Sequence, residues 1–201
     1  MTDVIPHTSL RERKKARTRA SLREHALRLF REHGYQATTV EQIAAAAEVS
    51  PSTFFRYFPT KEDVVLRDDM DDRILEALAR QPTSMTPIAA FRAAMREGMA
   101  TLTPAEWDEF REAAGLSLEV PEIRARQIDE LGRMIDVMAG ALARRTGKTA
   151  DELAVRVYVG AVFGVILSVM TPGKWAEADI GTQTFDRIDE ALALFEAGLP
   201  L

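Results

Sequence analysis

No stretch of the chain alternates apolar and polar residues with the two-residue period of a half-buried strand. Capping residues, prolines and glycines cut it instead into segments with the 3.6-residue period of helices. The expected fold is therefore all-α, with about nine helices. Ser9-Leu10-Arg11-Glu12 has capping-box spacing and opens a long first helix, which Gly34 closes. Its apolar stripe is Leu22, Ala26, Leu29 and Phe30. Thr39-Val40-Glu41-Gln42 repeats the capping box and opens a short helix to about Ala47. Glu48-Val49-Ser50 reads as a turn. Ser50 suits an N-cap and Pro51 the first position of a third helix, which runs to about Phe58. Thr60 caps a helix from near Lys61 to before Pro82. Longer helices are expected near Pro87–Leu102, Pro104–Ala114, Pro121–Arg145, Ala150–Met170 and Thr182–Gly198.

Charge divides the chain at the same place as helix length. From Met1 to Lys61, Lys and Arg exceed Asp and Glu by five; from Glu62 to Leu201, the acids exceed the bases by ten. A basic head on an acidic body points to a polyanion partner for the head. The expected domains are 1–60 and 61–201. The chain has no cysteine, and its three histidines, His7, His25 and His33, all lie near the N-terminus. Disulfides, thiolate nucleophiles, cysteine-ligated metals and histidine triads in the body are excluded. A Gly-rich phosphate loop, a G-x-S-x-G elbow and an H-E-x-x-H pair are likewise missing. No enzyme, metal or cofactor is expected. The uncharged run Val157–Gly173 is seventeen residues long and ends at Thr171-Pro172-Gly173. A membrane span takes about 20 residues, so a buried helix in a cytoplasmic protein is the better reading, with no signal peptide and no membrane partner.

Two short helices joined by a tight turn and preceded by a longer one describe a helix-turn-helix unit. The second short helix of such a unit enters the major groove. Here it is Pro51–Phe58, opened by Ser50 and Pro51. Ser52, Thr53 and Arg56 can donate to base edges, and Tyr57 can reach a phosphate. Phe54 and Phe58, four apart, are read as the inner face. Thr38 and Thr39 sit at a helix start, where backbone N–H groups favour phosphate, although a plain cap explains each hydroxyl equally well. Lys61, and Arg17 in the basic turns of the first helix, complete the phosphate candidates.

Leu29-Phe30, Gly34-Tyr35, Thr38-Thr39, Ile43-Ala44, Val49-Ser50, Tyr57-Phe58 and Lys61 together resemble the tetracycline-repressor (TetR) family of bacterial transcriptional regulators. The resemblance implies an all-helical homodimer with a DNA-binding head and a ligand-binding body. Phe55 stands where many members have tyrosine, so it joins the DNA-binding set without a hydroxyl to offer. Val49–Lys61, Leu118–Arg126 and Gly160–Gly164 resemble a subgroup that includes mycofactocin-system regulators, which implies an acyl-CoA-like effector.

In the body, Phe185, Ile188, Leu192, Phe195 and Leu199 repeat at 3, 4, 3, 4, the rhythm of a heptad seam, with Ala191, Leu194 and Gly198 beside it. The preceding helix is apolar nearly all round, and Gly160 and Gly164 allow close approach. The expectation is a homodimer through these two helices; packing within one chain is the alternative. Phe91, Met95, Met99, Trp107, Phe110, Met134 and Met138 supply adaptable apolar lining for a pocket, although each alone can be plain core. Arg124, with Arg126, is expected at its mouth, to meet an effector's anionic groups. The resulting reading is a ligand-responsive repressor on a two-fold double-stranded DNA operator. The alternatives are a nonspecific architectural DNA binder, which the acidic body disfavours, and an enzyme of unrecognised type.

Overall fold

The computed structural model describes residues 10–66, 70–170 and 182–200. They form the helices α1 (Leu10–His33), α2 (Val40–Ala46), α3 (Pro51–Tyr57), α4 (Asp63–Leu66), α5 (Met70–Arg80), α6 (Pro87–Ala100), α7 (Pro104–Glu119), α8 (Pro121–Thr146), α9 (Leu153–Met170) and α10 (Thr182–Glu196). No strand occurs among the described residues. The single helix expected between Lys61 and Pro82 is described as α4 and α5. The Ser9 cap and the Thr171-Pro172-Gly173 stop lie outside the described residues.

The chain separates into two compact units, Met1–Arg67 and Asp68–Leu201. In the first, Leu22, Ala26, Leu27, Leu29 and Phe30 of α1 are buried, as are Ile43 and Ala44 of α2, Phe54 of α3 and Phe58 just after it. Val64 and Val65 are buried there too, so this unit runs past the Thr60 boundary drawn from charge. Gly34 ends α1 at φ +83°, a left-handed geometry that side chains resist, and its N–H closes on the Phe30 carbonyl at 2.8 Å. Thr39 and Gln42 form the reciprocal capping box of α2. Glu48, also at positive φ (55°), makes the turn toward α3. Thr60 and Asp63 cap each other reciprocally. Arg23 of α1 is buried and donates to the carbonyls of Val64 (2.8 Å) and Val65 (3.3 Å), terminating α4.

In the second unit the core is built from α5, α6, α8, α9 and α10, with Leu78, Phe91, Met95, Met99, Met138, Val159, Ile188 and Leu192 all buried. Gly98 lets α5 and α6 close together, since a Cβ there would stand 3.2 Å from Ile74 Cγ1. Arg92 ties α6 to α10, gripping both oxygens of Asp189 (2.8 and 3.1 Å) and reaching Glu196 at 2.9 Å. Helix α9 has the length and apolar content of a membrane span, with a mean hydropathy of 2.1. Val155, Val159 and Val162 form its buried stripe.

Candidate nucleic-acid interface and body cavity

Helix α3 is short, so its orientation rests on two anchors. Phe54 and Phe58 are fully buried with ring centroids 5.7 Å apart. Ser50 caps the helix: its Oγ accepts from the Thr53 N–H at 3.1 Å and bonds the hydroxyls of Ser52 (2.8 Å) and Thr53 (3.0 Å). These constraints leave Pro51, Ser52, Phe55 and Arg56 exposed, with Thr53 and Tyr57 half-buried. Ser52, Phe55 and Arg56 are spaced i, i+3, i+4 and so share one face. The Arg56 guanidinium lies 5.4 Å from the centre of the Tyr57 ring. That face presents a hydroxyl, an apolar ring and a guanidinium, the groups that read a base edge, a thymine methyl and a guanine. Thr39 and Arg17 are exposed.

Two of the phosphate candidates are occupied otherwise. Thr38 is buried, and its hydroxyl lies 2.9 Å from the Gly34 carbonyl and 3.2 Å from that of Leu29, so it satisfies the end of α1. The structure thus corrects Thr38 from a phosphate contact to an internal cap. Lys61 donates to the carbonyls of Tyr35 (2.9 Å) and Thr38 (3.0 Å), with Nζ 4.0 Å from the Tyr35 ring centre. It fastens the α1–α2 connection. Tyr35 in turn donates to Glu62 at 2.5 Å. Burial alone would raise the Glu62 carboxyl, but the Tyr35 hydroxyl, the Glu62 and Thr60 hydrogen bonds and the Lys61 charge outweigh it and hold the group below its usual range.

The seam read in α10 faces inward. Ile188 and Leu192 are buried in their own chain. Phe185 packs on Trp107 and Phe110, with ring centres 5.5 Å from each, and Phe195 on Tyr158 at 6.0 Å. Ile188 and Leu192 are corrected from an interface between subunits to core, because α6 and α9 already cover that side of the helix, while Phe185 and Phe195 are half-buried beside them. What stays outside is Leu199 and the neighbouring Leu194, together with Leu153, Val157, Leu167 and Met170 of α9. Val157 is 61% exposed. Gly164 is exposed and Gly160 half-buried, and a Cβ added at either would meet nothing within 4 Å. α9 therefore carries a largely apolar outer face, whereas on α10 the exposed Leu194 stands beside the exposed Asp186, Glu190 and Glu196.

A narrow, open, almost wholly apolar cleft lies among α5, α6, α8 and α9. Leu78 of α5, Pro87, Ile88 and Phe91 of α6, Met138, Leu142 and Arg145 of α8, and Tyr158, Val159, Val162 and Phe163 of α9 line it. Of the pocket residues expected from sequence, Phe91 and Met138 line this cleft. Met95 and Met99 are core, Met134 is half-buried beside it, and Trp107 and Phe110 stack with Phe185. Arg124 is exposed and donates to the Leu118 carbonyl at 2.8 Å, away from the lining. Arg145 and Tyr158, the polar groups of the wall, escaped the sequence reading. Arg145 resembles any basic residue in a last helical turn, and Tyr158 lies in an otherwise apolar run. Burial, with the Glu196 charge, raises the Tyr158 phenol above its usual range, so it stands as a neutral hydroxyl.

Residues 22–67 match the family model described as bacterial regulatory proteins, tetR family, and residues 85–200 match the MftR C-terminal domain. The HTH-type transcriptional regulator TcmR of Streptomyces glaucescens is 33% identical over 177 residues, covering 85% of this chain and 78% of that protein. The crystal structure of FadR from Thermus thermophilus, a TetR-family transcriptional repressor in complex with lauroyl-CoA, is 26% identical with a TM-score of 0.51, over 91% of this chain and 95% of that one. The fatty acid degradation regulator FadR of Bacillus halodurans shares the fold at 23% identity, with a TM-score of 0.55 over 90% of this chain and 96% of that one.

Proposed function

The chain belongs to the tetR family of bacterial regulatory proteins and is a DNA-binding transcriptional regulator, not an enzyme; from that premise we propose that it is a homodimeric repressor of a two-fold operator, released by an apolar effector in its body. The observation that carries this reading is the α3 face. Two buried phenylalanines fix the helix, and Ser52, Phe55 and Arg56 are left exposed together. Thr39 and Arg17 are the backbone contacts that accompany it.

The apolar outer face of α9, with Leu194 of α10, is covered by a second subunit rather than by lipid. Gly160 and Gly164 let two backbones approach, and interfaces of this kind bury about 2,000 Å² or more of mostly apolar surface. The protein then works in the cytoplasm, on the nucleoid when bound. A cleft among α5, α6, α8 and α9 is the place for an effector. An effector that binds one state of the dimer better than the other shifts DNA affinity by its own differential affinity, about 1–3 kcal/mol in typical switches. An acyl-CoA is the first effector class to test, because the Thermus thermophilus neighbour is in complex with lauroyl-CoA.

The test is selection of duplexes from a random pool by the full-length protein, followed by footprinting. A two-fold symmetric sequence with half-sites about 10 base pairs apart, or a multiple of that spacing, is expected. Recovery of no preferred sequence would favour an architectural binder. The excess of ten acids over bases beyond Lys61 already opposes that role, because wrapping DNA without reading it depends on many cationic contacts.

A further inference from the structure

Leu22 is the first buried residue of α1, yet the helix begins at Leu10, about 18 Å earlier along its axis. Traced back toward that end, the apolar stripe of Leu22, Ala26 and Leu29 falls on Thr18, Lys15 and Arg11, each three or four residues before the next. Arg13 and Arg17 occupy the opposite side, and Lys14 the flank between. Residues 10–17 therefore have no apolar face to lay on the head. Leu10 is 80% exposed, and Arg11, Arg13, Lys14, Lys15 and Arg17 are all exposed. A helix that is polar all round is held by opposite charges at i, i+4. Here the i, i+4 neighbours are alike, Arg11 with Lys15 and Arg13 with Arg17. The stretch sets five cations against one acid, Glu12, and Arg11 and Arg13 crowd the positive end of the helix dipole. No described side chain forms an ion pair with any of the five. A solvated face has an apolar face behind it; these turns have none. A polyanion laid against them removes both repulsions.

We propose that the first turns of α1, Leu10–Arg17, form a cationic arm that grips the phosphates of duplex DNA beyond the bases facing α3. The inference rests on the α3 reading of an operator and extends it: the protein occupies more DNA than it specifies. The arm is continuous with the reading helix. The Arg19 guanidinium lies 5.9 Å from the ring centre of Phe58, the residue that ends α3, and α1 leaves the packed part of the head at that point. Phosphate oxygens carry charge but no sequence, so the arm contributes affinity and orientation without base preference. Each phosphate it neutralises releases counterions and steepens the salt dependence by about 0.9 in the log–log slope. An anionic lipid surface has the same sign of charge. A helix that lies in lipid needs an apolar face opposite its cations, and this segment offers only Leu10 and Ala16. Duplex DNA, already bound by the same unit, is the partner that fits.

The experiment compares full-length wild type with the quadruple variant Arg11→Gln, Arg13→Gln, Lys14→Gln, Lys15→Gln. Glutamine keeps helix propensity, and no buried residue is touched, so folding is preserved. Fluorescence anisotropy follows binding to a duplex trimmed to the selected sequence and to one with about ten arbitrary base pairs, one helical turn, added at each end. At about 50 mM salt, wild type should bind the longer duplex at least about tenfold more tightly, whatever the added sequence. Its salt slope there should be steeper by about 1.8 or more, the release from two phosphates. The variant should lose both the lead and the extra slope, while its preference for the selected over a scrambled duplex of equal length remains. No lead in wild type, a lead that follows the added sequence, or a lead that survives in the variant overturns the proposal. If selection recovers no preferred sequence, the α3 reading fails and the arm is judged alone. The variant should still flatten the salt slope on a random duplex by about 1.8 or more, and an unchanged slope overturns the arm. Wild-type duplex binding by the variant, with lost binding to phosphatidylglycerol vesicles, would assign these turns to a membrane surface and overturns it equally.

Discussion

Leu192 and Leu194 are two residues apart on α10, yet their substitution should have opposite consequences. Leu192 is 0% exposed and packs in the core of its own chain, whereas Leu194 is 50% exposed on the proposed dimer face. Leu192→Ala removes buried methylenes and leaves a cavity, at a cost of about 2–5 kcal/mol. For a chain of this size, each kcal/mol lowers Tm by about 2–4 °C. Leu194→Ala instead removes the half of the side chain that a partner would cover. Full burial of leucine contributes about 1.5–3 kcal/mol, so half contributes about 1 kcal/mol per subunit and about 2 kcal/mol per dimer. That weakens dimerisation about thirty-fold. Leu194→Glu should weaken it further, because a carboxylate is taken out of water without a partner. Sedimentation velocity over a concentration series, beside thermal unfolding at fixed protein concentration, separates the two effects. If Leu194→Glu sediments as a wild-type dimer, the outer face of α10 is not the interface.

Thr38→Val keeps the shape of a buried side chain and deletes its hydroxyl. It should cost about 1 kcal/mol of stability and leave the salt dependence of DNA binding unchanged; a phosphate contact would instead reduce the salt slope by about one. The carboxyls of Glu62, Glu106 and Asp189 all lie below their ordinary values of 4.5, 4.5 and 3.8. For Glu62 and Glu106, hydrogen bonds and neighbouring cations overcome the opposing effect of burial; for Asp189 the Arg92 hydrogen bond dominates. The stability they contribute is therefore fully present above about pH 4.5 and is lost as pH falls through the depressed values. Denaturant midpoints measured from pH 6 to pH 3 should fall along the acid limb, and Asp189→Asn should flatten that fall.

The capping chemistry was legible because it is local. Gly34, Thr39 with Gln42, and Ser50 with Pro51 mark helix ends through contacts within three or four residues. Thr38 and Thr39 look alike in sequence, but one is buried by an acceptor nine residues back, at Leu29, and the other stays exposed. The heptad rhythm of α10 identified an apolar seam without saying which body covers it. Own-chain helices take Ile188 and Leu192, and the parallel strip at Leu194 faces out. Arg145 was illegible for the same reason. Its acceptors lie 60 to 64 residues earlier, so no spacing within α8 announces them.

The central claim is that the exposed face of α3 reads base sequence. The most direct measurement is the ratio of affinities for the selected duplex and a scrambled one at a single salt concentration, taken for wild type and for the triple variant Ser52→Ala, Phe55→Ala, Arg56→Ala. Specific binders prefer their sites by about 10³-fold or more. Wild type should show such a ratio, and the triple variant should bring it close to one while affinity for scrambled DNA falls only by the share of one lost cation. A ratio that survives in the triple variant would contradict the account and move sequence readout away from this helix.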